Sequence, residues 1–157
     1  MAIGDMFLKV ETARQGVIKG ESADDKHKTE IDVLSWSWGM RAQSAMAGAG
    51  PSSKATLDEL RVVKRVDSAS TALMSAMRNN ELIKKATLIV RKAGGDPLEY
   101  LKITVQNARI TELGVETEGP EVVERLSLSF QRVNVEYVPQ GGDGLARGGM
   151  MFEAEIV

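Results

Sequence analysis

Apolar residues recur at every second position along most of this chain, and that period leaves room for little besides strands. Met6, Leu8 and Val10 fall on one side of a first segment, with Phe7 and Lys9 on the other. From Glu30 to Met40, Leu34, Trp36, Trp38 and Met40 share a face opposite Ile31, Val33, Ser35 and Ser37. That spacing directs Trp36 and Trp38 into a core and leaves a small, half-polar face behind them. Alternation returns over Ala55–Val66, Ala86–Arg91, Leu98–Ile110 and Val122–Val138, with a short last strand over Met151–Val157. Within Val122–Val138 the phase moves from Leu126, Leu128 and Phe130 to Val133, Val135 and Tyr137. Such a slip predicts a β-bulge near Gln131-Arg132, or a strand passing from one sheet to another.

One helix interrupts the pattern. Asp67 or Ser68 can cap it, Ala72, Leu73, Ala76 and Met77 form its apolar stripe, and Asn79-Asn80 stops it after Arg78. Gly94-Gly95-Asp96-Pro97 and Gly119-Pro120 supply turns. Between the strands, Ala42-Gln43-Ser44-Ala45-Met46-Ala47-Gly48-Ala49-Gly50-Pro51-Ser52-Ser53 has no periodicity and reads as a long surface loop. The 157 residues, 43% of them apolar, suffice for one core. The expected fold is mainly β: residues 1–157 as one small β-barrel of two packed antiparallel sheets with one short accessory helix.

Composition excludes much chemistry. With 20 Lys+Arg against 22 Asp+Glu, the net charge of -2 gives no basic footprint for nucleic acid or anionic lipid. The chain has no Cys, so disulfides, thiolate catalysis and Cys-ligated zinc are ruled out, and a single His rules out sites needing two imidazoles. No apolar run approaches the roughly 20 residues that span a bilayer, and Met1–Asp5 has no signal-peptide character. The sequence predicts a protein made in the cytoplasm, without membrane insertion.

Motif searches point the same way. Gly142-x-Gly144 has Arg147 where a dinucleotide fingerprint needs Gly or Ala, and no P-loop or Gly-x-Ser-x-Gly turn occurs. His27, in Asp24-Asp25-Lys26-His27-Lys28, reads as a solvated or locally hydrogen-bonded turn. Glu21, Asp24, Asp25, Glu30 and Asp32 miss the calcium-loop spacing and read as a charged turn. Arg91-Lys92 and Lys84-Lys85 read as a solvated strand edge. No catalytic, cofactor or metal site emerges; the residues point to binding or assembly, not to an enzyme.

Several segments in order carry a resemblance: Asp5-Met6-Phe7-Leu8-Lys9; Lys19-Gly20-Glu21-Ser22 with Asp25 and His27; and Ile31 through Met40 with its Ser35-Trp36-Ser37-Trp38 centre. Arg91-Lys92-Ala93-Gly94-Gly95, Leu126-Ser127-Leu128-Ser129-Phe130 and Val135 to Gln140 continue it. Over roughly residues 5 to 140 the chain resembles the haemolysin-coregulated protein (Hcp) family, the tube subunits of the bacterial type VI secretion system.

The resemblance implies six-membered rings that stack into a hollow tube, a contractile sheath around it, a spike at its tip, and small effector proteins held in the lumen. It also implies secretion by a route that needs no signal peptide. On this frame Ser35 and Ser37 are expected to line the lumen, Trp36 and Trp38 to fill the core, and Ala42–Ser53 to form the ring-to-ring contact. Glu21, Asp24 and Asp25 are expected to face Lys or Arg of an adjacent subunit. Two other readings share parts of the pattern. A phage-type tail tube subunit would have the same architecture. A small-molecule-binding β-barrel would instead need an open apolar cavity, which the two indoles would fill.

Overall fold

The structure, a computed structural model, describes residues 5–42, 54–92, 98–139 and 149–156. Its elements in chain order are β1 (Met6–Thr12), β2 (Gly16–Ile18), β3 (Ile31–Asp32), β4 (Ser35–Ser37), β5 (Met40–Arg41), β6 (Thr56–Leu57) and β7 (Leu60–Arg65). Helix α1 (Ser70–Arg78) follows, then β8 (Ile83–Arg91), β9 (Glu99–Glu118), β10 (Glu121–Ser129), β11 (Arg132–Tyr137) and β12 (Met150–Glu155). The chain is mainly β with one short helix, as its alternation predicts, and all described ladders are antiparallel.

A long bent hairpin organises the fold. The C-terminal half of β9 pairs with β10, and its N-terminal half pairs with β11, along the same edge. Both strands slip phase at the same level: the buried set moves from Val105 to Ala108 on β9, and from Phe130 to Val133 opposite. Asn107, between Val105 and Ala108, has φ +50°, a conformation that asparagine tolerates better than most residues. The slip near Gln131-Arg132 is therefore a strand passing between sheets, not a bulge within one.

Sheet A runs β2-β1-β8-β9-β11-β12, and sheet B runs from the C-terminal half of β9 through β10 and β7 to β4. The sheets face each other without closing into the expected barrel. At the other seam the backbone changes sheet within one residue: Val33 N–H donates to Met6 O of β1, and Leu34 N–H to Val63 O of β7. β3 and β4 are thus too short to carry a ladder across, and among the described residues β4 is left as a free edge.

Between the sheets lie Leu8, Val10, Ile31, Val33, Leu60, Val62, Leu88, Ile103, Val105, Leu126 and Leu128, with Leu73 and Ala76 of α1. The change of sheet at Val33–Leu34 corrects the face given to Ile31 and Val33, while Trp36 and Trp38 stay on the core side. Ile31 and Val33, assigned to the opposite face from the indoles, are fully buried. Trp36 and Trp38 are half-buried and pack against the margin of this core. The helix is capped at Ala69, one residue after Ser68 and two after Asp67. Asp67 still serves the end, its carboxylate accepting from Ala69 N–H while the Ser70 hydroxyl accepts from Asp67 N–H.

Sheet B also buries charge. Lys64 lies in phase with Leu60 and Val62, and Glu124 opposite it in phase with Leu126 and Leu128. Both are 0% exposed. The Lys64 ammonium reaches Glu124 Oε1 at 2.6 Å, Asp67 Oδ1 at 2.8 Å and Ser70 Oγ at 3.2 Å. This network ties the start of α1 to the sheet.

Candidate assembly surfaces

The outer face of sheet B is the first candidate. Register sets Ser37, Arg61, Ser127 and Glu112 in one cross-strand row, and Ser35, Val63, Arg125 and Gly114 in the next. Ser35 and Ser37 are exposed and border a shallow recess of about 270 Å³ that also includes Arg61 and Glu112. Small hydroxyls and paired charges dominate this face. Arg125 donates to Glu116 at 2.8 Å and to Glu118 at 2.7 Å, and these carboxylates, Glu116 foremost, raise its pKa. Arg65 pairs with Glu121. The face is bounded by two strand edges without ladder partners among the described residues: β4 on one side and the C-terminal half of β9 on the other.

The expected ring-stacking loop springs from a two-stranded ribbon, β5 paired with β6, pinned by the Arg41–Asp58 ion pair. Ala42 is exposed at its start; Gln43 to Ser53 lie outside the described residues.

A strap formed by residues 19–30 covers the outer face of sheet A. His27 is 5% exposed, so of the two readings of its turn the locally hydrogen-bonded one holds and the solvated one does not. Its ring stacks on Phe7 with centroids 4.4 Å apart, and its nitrogens lie 3.0 Å from Glu30 Oε1 and 2.7 Å from Glu99 Oε2. Glu99 is remote in sequence, so a local reading of the turn could not include it. Arg91 is no solvated edge either. Its guanidinium lies 5.0 Å from the Phe7 ring centre and grips Asp24 through two hydrogen bonds of 3.0 and 2.7 Å. That grip brings the Asp24 pKa down to about 2. Glu21 accepts from Ser68 N–H at 2.6 Å. Asp24 and Glu21 are therefore partnered within their own chain.

Gly20 fits the same construction, because a Cβ there would lie 2.6 Å from Glu30 O. Among the described residues no cluster of three or more His, Asp or Glu side chains could hold a metal ion, and no helix is long and apolar enough to cross a membrane.

A family model described as type VI secretion system effector, Hcp, matches residues 7–137. Protein hcp1 of Pseudomonas aeruginosa is 38% identical over 150 residues, which cover 92% of this chain and 90% of that protein. Hcp1 from Salmonella typhimurium superposes with a TM-score of 0.76 at 33% identity, over 96% of this chain and 95% of that one. A type VI secretion system effector from Yersinia pestis gives 0.76 at 28% identity, over 96% and 99%. The chain belongs to the Hcp family, the tube proteins of the type VI secretion system.

Proposed function

We propose that six copies of this chain close into a ring, that rings stack into a tube, and that sheet B forms the inner wall of the passage. One observation carries the reading: sheet B combines a polar outer face with a free edge on each side. A head-to-tail contact sets the β4 edge of one copy beside the β9 edge of the next. Such a contact uses different surfaces on its two partners and closes only when its rotation fits the ring. It also covers strand edges that would otherwise invite aggregation.

On this reading Ser35 and Ser37 line the lumen. Hydroxyls and internally paired charges suit a wall that must hold small effector proteins without gripping them. The Ala42–Ser53 loop serves as the ring-to-ring contact, so shortening it leaves rings intact and impairs stacking. The finished tube lies inside the contractile sheath with the spike at its tip, and leaves the cell folded, without a signal peptide.

The lumen assignment is tested by Ser37→Arg. The variant should form rings of normal mass yet lose co-purification of an effector that the unaltered protein retains. Unchanged retention in intact rings would contradict the assignment of this face.

A further inference from the structure

The contacts around His27 fix how many protons its surroundings hold. Nδ1 lies 3.0 Å from Glu30 Oε1 and Nε2 lies 2.7 Å from Glu99 Oε2. An ionised carboxylate only accepts hydrogen bonds, and a neutral imidazole has one N–H and one bare nitrogen. With both glutamates ionised, a neutral ring would set that bare nitrogen directly against a carboxylate oxygen. Contacts of this length leave no room for an intervening water, and the His27 side chain is 6% exposed. Both contacts become hydrogen bonds only when the three groups share one more proton, and imidazole is the strongest base among them.

Three neighbouring strands meet the strap here. Phe7 of β1 stacks on the ring, Glu99 of β9 holds one nitrogen, and Arg91 of β8 stands opposite Glu99 in the ladder, across the Phe7 ring from its own β-strand. The strap itself supplies Glu30 and Asp24, while Lys26 and Lys28 are exposed. A second anchor lies beside this one, the two hydrogen bonds from Arg91 to Asp24. That contact holds the Asp24 pKa at about 2 and raises that of Arg91, so the second anchor keeps its charges wherever imidazole titrates. Thr29 sits at φ +62°, a strained conformation for a β-branched residue. It is kept there while Gly20 N–H donates to Thr29 O at 2.7 Å and Thr29 N–H to Ser22 O at 2.9 Å.

We infer that His27, Glu30 and Glu99 form a proton-held latch, which fastens the strap to sheet A near neutral pH and lets residues 26–30 lift as pH rises. The sign follows from the proton count. Above about pH 6.5, the ordinary imidazole value, the fastened strap binds one proton more than a lifted one, so fastening weakens with increasing pH. Lifting is confined to residues 26–30, because the Arg91–Asp24 anchor stays closed and the strain at Thr29 favours release. It uncovers Phe7, which is 1% exposed although it stands outside the core between the sheets. The latch involves neither face nor edge of sheet B, so it does not depend on the ring reading.

Two measurements on the full chain test the latch. His27 is the one histidine in the sequence, so nitrogen-15 histidine labelling reports on this ring alone in a solid-state spectrum. At pH 7.0, where a solvated imidazole is mostly neutral, both ring nitrogens should be protonated; a bare-nitrogen signal would overturn the inference. Trypsin cleavage after Lys26 and Lys28 should be at least fivefold faster at pH 9.5 than at pH 7.0, normalised to a free peptide of the same sequence in the same digest. Glu99→Gln offers an amide N–H to the bare nitrogen of a neutral ring. Its strap should therefore stay slowly cleaved at both pH values, with an unchanged circular dichroism spectrum. Equal normalised rates in the unaltered chain, or an equally large increase in Glu99→Gln, would overturn the inference as well.

Discussion

Lys64→Met should be among the most damaging single substitutions in this chain, although it replaces a charged residue with an apolar one of similar length. Both Lys64 and Glu124 are 0% exposed, and the ammonium makes contacts of 2.6 Å with Glu124, 2.8 Å with Asp67 and 3.2 Å with Ser70. Glu124 Oε2 already has no partner, so the substitution leaves its carboxylate only the Ser70 hydroxyl, 2.7 Å from Oε1. Removing one member of a buried pair costs about 3–5 kcal/mol, because the remaining charge stays buried without its counterpart. With a urea slope of about 2 kcal/mol/M, the unfolding midpoint should fall by about 1.5–2.5 M.

Lys64→Met combined with Glu124→Leu removes both charges and should recover most of that loss, since apolar replacement of a whole buried pair is often neutral or stabilising. The assay is urea unfolding followed by tryptophan fluorescence, at one fixed protein concentration because subunit association shifts midpoints. With Glu124→Leu alone measured as well, the two single variants and the double close a cycle that gives the coupling energy. A single-variant loss below about 1 kcal/mol, or a double variant no more stable than Lys64→Met, would refute the reasoning, because both require the pair to be dry and mutually dependent.

Three further outcomes follow from particular contacts. Burial disfavours the Glu81 carboxylate, but hydrogen bonds from the Gln15 side chain, from the Gln15 and Arg14 N–H groups and from Thr12 outweigh it and set its pKa at about 2. Because the folded value lies below the unfolded one, this stabilisation is fully present above about pH 4.5 and is lost as pH falls toward 2; Glu81→Gln should flatten the acid side of a midpoint-against-pH curve, and parallel curves would contradict that. Asn107→Val should cost about 1–2 kcal/mol in the same urea assay, because a β-branched residue is strained at φ +50°, whereas Asn107→Gly should be close to neutral; equal losses would mean that the bend does not depend on this residue's backbone. Gly20→Ala sets a methyl group 2.6 Å from Glu30 O and should raise hydrogen exchange across residues 21–30, whereas an unchanged exchange pattern would mean that the strap is not held at this point.

Much of the fold was legible because alternation reports directly which face a strand buries. The slip between Phe130 and Val133 marked either a bulge or a passage between sheets, and the matching slip from Val105 to Ala108, with Asn107 as its marker, was equally present. Lys64 and Glu124 were hidden by their chemistry: their positions follow the apolar phase, but charge argues for solvent until the partner across the ladder is known. His27 was hidden by distance, since Glu99 and the Phe7 ring reach it only once the strap lies over sheet A. Ile31 and Val33 were misplaced opposite the tryptophans because hydrogen bonding changes sheet between Val33 and Leu34, and a single period cannot run through such a junction.

Of the assembly surfaces, Ser35 and Ser37 were legible as a small polar pair and are exposed on β4. The charged rows beside them could not be read from sequence, because they depend on the register of β7, β9 and β10.

Light scattering behind a sizing column, with negative-stain images of the main peak, tests the tube reading most directly. The account predicts particles of about 102 kDa, six times the 17.0 kDa subunit, seen as rings with an open centre. A monodisperse 17.0 kDa species that persists at high concentration would contradict it.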